Sequence, residues 1–345
     1  MKHSHRMFVL ALVAASCFAG FSTPASSQEV VVFGDGDDLI KWLEAEKWWG
    51  EENRGEQLEV PHALITGINP RWRKTAPTLP VPVKKEIFYR LMLPLILHAN
   101  GMVMDRRASV IRVQGELAAG KELAAADLEA LRAGLVLLRV ADADAAASFT
   151  AADPRWPDML EALLVKLDII PAGLALGQAA YESGYGTSRF AVEGNALFGQ
   201  WTYGGEGLKP DQQRKELGDH RIASYDWPFD SVRGYFINLM SHPAYEDFRR
   251  LRARLRAEGK PLSSLALADG LTSYSERGQE YVDTLKGMIR TNHLDLADGA
   301  RFRDEPVRFL VGAENAEDAA ELRSKIEEMR QSGELAKIIA RMRLE

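Results

Sequence analysis

"ALGQAAYESGYGTSRFAVEGNALFGQW", residues 175–201, decides how the chain is read. Ala172, Gly173, Ala175, Gly177, Ala179 and Ala180 leave a helix over 171–182 with little side-chain bulk, so neighbouring elements can pack close to its axis. Pro171 suits the first turn of that helix and Gly184 a left-handed cap after its end. Leu174, Gln178 and Glu182 stand four apart and share one face. A carboxylate in the last turn meets the negative end of the helix dipole, and close packing strips its water. Both effects disfavour the charged form and predict a raised pKa for Glu182. A proton kept near neutral pH is what a general acid gives to a leaving oxygen. A plainer reading has Glu182 cap the helix or pair with Arg189.

The pattern around this stretch is helical. "PDMLEALLVKLDII" (157–170), "FDSVRGYFINLMSH" (229–242), "AYEDFRRLRARLRAEG" (244–259), "LSSLALADGL" (262–271) and "GQEYVDTLKGMIRTN" (278–292) all read as helices. The glycine-rich run from Leu197 to Asp226 interrupts them with short strand-like pieces and predicts a small β element. Upstream, apolar residues recur at helical spacing from Val83, at Ile87, Leu91, Leu95 and Met102, with Pro94 expected to kink that helix or end it. His98 and Asn100 on it are expected to pack or cap. Helices are also expected near 37–48 and 125–138, and a helix or small-residue hinge at 141–148. The prolines between 61 and 82 predict extended chain draped over a surface. After residue 300 a short strand and two helices split by Ser332–Gly333 read as a solvated hairpin, similar to the last helices of periplasmic solute-binding proteins.

The 345 residues carry 43 basic and 49 acidic side chains. Lys2 and Arg6 precede an apolar run from Met7 to about Phe21, followed by small residues at Ala25 and Ser27, which is the pattern of a secretory signal cut after Ser27. Without residues 1–27 the balance is −8, which argues against nucleic acid as a partner. No second stretch is expected to be long and apolar enough to cross a membrane. The lone Cys17 lies inside the signal, so no disulfide or zinc–thiolate site is expected in the exported protein. Cys17 follows "VAAS", which loosely resembles a lipoprotein box with Ala14 where Leu is usual, and would allow a lipid anchor. His220 and His242 lack companion ligands at metal spacing, and no metal or cofactor is expected.

The run Glu182-Ser183-Gly184-Tyr185-Gly186, then Ser188, then Asn195-Ala196-Leu197-Phe198-Gly199, resembles the signature of the peptidoglycan glucosaminidases of glycoside hydrolase family 73. "SVRGYFINLMSHPAYEDFR" and "LTSYSERGQEYVDTLKGMI" are similar to that family's later helices, and "HPAYEDFRRLRARLR" resembles its Bax-type branch. The resemblance covers roughly residues 155–295. It implies a mainly α fold: a lysozyme-like α+β domain with a small β lobe, preceded by a helical N-terminal region. The expected division is signal 1–27, helical region 28–145, glucosaminidase domain 146–300 and helical tail 301–345.

It further implies an exported, periplasmic or envelope hydrolase that cuts the β-1,4 bond after N-acetylglucosamine in peptidoglycan, with Glu182 as acid. Glu206 is the first candidate for a second carboxylate, with Glu216 and Asp219 behind it. Tyr274 is the first candidate to hydrogen-bond the acid, and Tyr281 the second. Tyr185, Trp201 and Tyr203 offer faces for sugar rings, with core packing as the alternative. Gln178, Asn195, Phe198 and Tyr281 complete the candidate substrate-binding set, Asn195 with a loop-fixing alternative. Ser183 has no His–Asp company and is not read as a nucleophile. A lytic transglycosylase working through one acid, or a wall-binding component without catalysis, are the competing readings. Residues 28–145 are a candidate docking module for an envelope protein.

Overall fold

The computed structural model describes residues 30–34, 36–50, 58–203, 207–210 and 220–334. The signal, Cys17, Glu206, Glu216, Asp219 and the second tail helix fall outside the described residues. The chain opens with strand β1 (Val30–Phe33), helix α1 (Gly36–Ala45) and strands β2 (Glu59–Val60) and β3 (Ala63–Ile65). Helices α2 (Pro70–Thr75), α3 (Val81–Ala118), α4 (Ala125–Leu137) and α5 (Ala143–Ala147) follow. Then come α6 (Trp156–Lys166), α7 (Ala172–Ser183) and α8 (Arg189–Gly194), and the antiparallel pair β4 (Trp201–Tyr203) and β5 (His220–Ile222). Helices α9 (Pro228–Ser241), α10 (Glu246–Ala257), α11 (Ser264–Leu267) and α12 (Gln279–Thr291), strands β6 (Arg301–Phe302) and β7 (Arg308–Gly312), and helix α13 (Ala316–Gln331) complete it. The fold is mainly α with a lysozyme-like division into a helical body and a small β lobe.

The buried helix is α7. Every residue from Ala172 to Ala180 is buried, and its small side chains are a packing requirement. A Cβ on Gly173 would stand 2.1 Å from the Leu294 carbonyl oxygen, and one on Gly177 would stand 2.9 Å from Leu285 Cδ1 on α12. Asp298 caps the start of α7 from outside: its Oδ1 accepts from Gly173 N at 3.0 Å while Oδ2 takes Ser264 N at 2.6 Å. The helix therefore has a fixed start, close-packed flanks and a fixed end.

Long helix α3 runs unbroken through Pro94, contrary to the expected kink or boundary. Proline removes one N–H, which strands the carbonyl four residues back. That carbonyl, Arg90 O, instead accepts from Trp48 Nε1 at 3.0 Å, and the Arg90 guanidinium lies over the Trp48 ring at 4.3 Å. By length and composition α3 could cross a membrane, which corrects the expectation that no such stretch existed. Its apolar face is taken up inside the protein, where Leu95 and Ile96 are fully buried and α3 packs on α7 and α9. Asn100 holds Ile170 by a reciprocal pair of hydrogen bonds, 2.8 and 3.0 Å, just ahead of α7.

Strands β1 and β3 and the tail strand form one sheet, in the order β1-β7-β3, all parallel, while β2 pairs with β6 in a separate parallel pair. Strand β7 is its centre, with Leu310 1% exposed. The chain between 61 and 82 is therefore not simply draped: it holds β3 and α2. "VVVF" at 30–33 is a β-branched run whose partner lies nearly 280 residues downstream, so local pattern alone did not reveal the pairing.

Candidate active site

Glu182 occupies the last turn of α7, and Gly184 follows in the left-handed region (φ 58°, ψ 47°) as its cap. Ser183 clips this end shut: its Oγ donates to Ala179 O at 2.6 Å and accepts from Gly186 N at 2.9 Å. The carboxyl is half-buried. Burial pushes its pKa up, and a hydrogen bond from Tyr281 partly offsets this. Arg189, the partner of the plainer reading, turns instead to Glu193 and to Lys209 O.

Behind the acid lies a directional hydrogen-bond chain. Tyr235 donates to Gln178 Oε1 at 2.6 Å, Gln178 Nε2 donates to the Tyr281 hydroxyl at 3.0 Å, and Tyr281 donates to Glu182 Oε1 at 3.3 Å. With the amide oxygen toward Tyr235, each of the three links has a donor and an acceptor, and the chain of donors runs toward Glu182. Since Oε1 is an acceptor in this chain, the proton of neutral Glu182 belongs on Oε2. That oxygen faces Gly199, where an added Cβ would stand 3.6 Å away. Gly199 itself has φ +60°, a conformation glycine adopts without strain.

The expected roles of the two tyrosines are exchanged. Tyr281 touches the acid, whereas Tyr274 stacks on Tyr281 (5.4 Å, 13°) and donates to Phe198 O at 3.4 Å. Gln178 is fully buried, so it stands behind the acid rather than against a sugar. Phe198 is buried against Tyr235, ring to ring at 4.0 Å. Asn195, at φ 49°, accepts from Ile68 N and donates to Tyr225 O and Asp226 O, which uses its amide to fasten the loop. Trp201 on β4 is 47% exposed. Tyr203 lies on the same strand.

Tyr185 belongs to a different wall. Its backbone is left-handed (φ 59°), its carbonyl accepts from Trp72 Nε1 at 2.9 Å, and its ring stands edge-on to Phe88 and Tyr89. Trp72, Phe88 and Tyr89 come from α2 and α3, so the N-terminal region holds the loop that follows the acid. Tyr235 and Tyr245 were missed in the sequence. The signal available for Tyr235 was a hydroxyl in the middle of an apolar helical face, which needs a buried partner. No such argument singles out Tyr245, whose ring tilts against Tyr274 at 5.8 Å.

Residues 157–294 match the family described as glucosaminidase, mannosyl-glycoprotein endo-beta-N-acetylglucosaminidase. Over 130 residues the chain is 36% identical to protein bax of Escherichia coli (strain K12), which covers 38% of this chain and 46% of that protein. The chain thus spans about half the length of this curated relative. No solved structure matches significantly.

Proposed function

We propose, from the premise that residues 157–294 are a glucosaminidase-family domain, that this protein is an exported hydrolase of the peptidoglycan glycan strand, cutting after N-acetylglucosamine. The observation that carries the reading is Glu182: a half-buried carboxyl whose pKa is raised by burial, at a capped helix end, oriented through Tyr281 and Gln178. In the step it performs, Oε2 gives its proton to the bridging oxygen as the bond from the anomeric carbon breaks. Water, or the sugar's own acetamido oxygen, supplies the electron pair to that carbon. The carboxylate then recovers a proton from water. Tyr281 supports both states, because its hydroxyl keeps donating to Oε1 when the charge develops.

Among the described residues, no second carboxylate contributes to the charge environment of Glu182. The candidate second carboxylates Glu206, Glu216 and Asp219 lie outside the described residues, and the second reading is a lytic transglycosylase that needs one acid alone. Digestion of purified sacculi, with the new chain ends identified by mass spectrometry, decides between them. A reducing N-acetylglucosamine end is expected, and an anhydro-muramic end would replace it with the second reading. Glu182→Gln is expected to abolish release of fragments while the protein stays folded. Full activity in that variant would overturn both.

A further inference from the structure

One helical face round from Glu182, an open groove of about 500 Å³ runs between the end of α7 and one face of α12. Tyr181 and Tyr185, four apart on α7 and the turn after it, form one side; Thr284, Gly287, Met288 and Thr291, at helical spacing, form the other. Its volume is in the range of ordinary ligand sites. Lys85 of α3 closes one end and donates to Asn292 Oδ1 at 2.8 Å. Both Lys84 and Lys85 place their ammonium groups 5.7 Å from the centre of the Tyr185 ring.

The charge in this groove is one-sided. None of its lining residues is acidic. Among the described residues neither Lys84 nor Lys85 has a carboxylate partner. In a chain with more acidic than basic side chains, two adjacent unpaired lysines held over one aromatic ring are set to receive an anion. Both lie outside residues 157–294, so the feature comes from the N-terminal region and not from the family domain.

We propose that this groove docks the anionic stem peptide carried by the muramic acid sugar beside the scissile bond, with Lys84 and Lys85 pairing with its carboxylate. The proposal rests on the glycan-strand reading of the active site. The groove is lined by Tyr181 and Gly184, which flank Glu182 closely in sequence, so a group branching from the sugar beside the scissile bond has this groove within reach of the acid. Aliphatic peptide carbons suit the Met288 and Tyr185 walls, while the threonines and Asn292 offer hydrogen bonds to peptide groups.

The test separates docking from turnover. Binding of glycan fragments to the Glu182→Gln protein is measured with the stem peptide present and after its enzymatic removal. Roughly tenfold tighter binding of the peptide-bearing fragment is expected, the size of one charge-assisted contact. The preference should vanish in Glu182→Gln combined with Lys84→Gln and Lys85→Gln, and persist when both lysines are arginine. Equal affinity for the two fragments, or a preference that survives loss of both charges, overturns the proposal. A wild-type protein that shows the binding preference but cuts neither fragment overturns the hydrolase reading instead, and leaves the docking site standing.

Discussion

In the role proposed for it, Glu182 ties turnover and stability to pH in the same direction. Its folded pKa is raised above the ordinary value, so its favourable contribution to folding is present below that value and is lost as pH rises through the folded pKa. Activity needs the same proton and declines over the same window. Glu182→Gln should therefore lower the rate by ~10²–10⁴-fold or more, yet melt higher than the wild type at neutral pH and not at pH 4, in paired calorimetric scans. Tyr281 adds a test of sign. Its hydrogen bond favours the charged form, so Tyr281→Phe removes a lowering influence and should move the alkaline limb of the pH–rate profile upward. A downward move would mean that the hydroxyl acts on the neutral acid. Gly199→Ala places a methyl against Oε2 at a backbone conformation that costs a non-glycine residue ~1–2 kcal/mol. Turnover should fall at least tenfold, with the pH profile otherwise kept.

Helix ends in this protein are finished by cations from elsewhere in the chain. Arg252, fully buried, donates to Val165 O, Lys166 O, Asp168 O and Ile169 O, the carbonyls at and just beyond the end of α6. Arg107 adds Leu167 O at 2.8 Å, and Arg256 pairs with buried Asp168. Lys166 does the same for Leu138 O at the end of α4, and Arg249 for Leu239 O in α9. These are the positions where a helix presents unpaired carbonyls and negative dipole. Burial pulls Arg252 down to about 10, so it stays charged in the physiological range. Arg252→Met should cost about 3–5 kcal/mol, because four carbonyls lose their buried donor; a urea midpoint shift checks this. Trp48→Phe should cost about 1–3 kcal/mol by returning Arg90 O to the unpaired state that Pro94 creates.

At the scale of the molecule, the sheet β1-β7-β3 closes the chain on itself, since its middle strand comes from after residues 157–294 and its edges from before them. The N-terminal region and the tail are therefore one structural unit, and α2 and α3 carry that unit onto the loop after Glu182. Leu310→Ala, in the central strand, should cost about 2–5 kcal/mol. The cost should appear in the same denaturation transition as the unfolding of residues 157–294. Two separate transitions would show that the units unfold independently.

The helices, the small β lobe and the acid at the end of α7 could all be read from residues 154–295, because they rest on local periodicity, small-residue spacing and a glycine cap. The chain alone also placed Glu182 where burial and the helix dipole oppose its charge. It could not say which tyrosine serves the acid, since Tyr274 and Tyr281 differ only in where the turn between them sends each hydroxyl. Nor could it show that Pro94 leaves α3 whole, or that the tail strand is the centre of a sheet. Those outcomes depend on a tryptophan 42 residues upstream of Arg90 and on strands nearly 280 residues apart. Partners at such separation are selected by shape and hydrogen-bond satisfaction in three dimensions, which no short window of sequence contains.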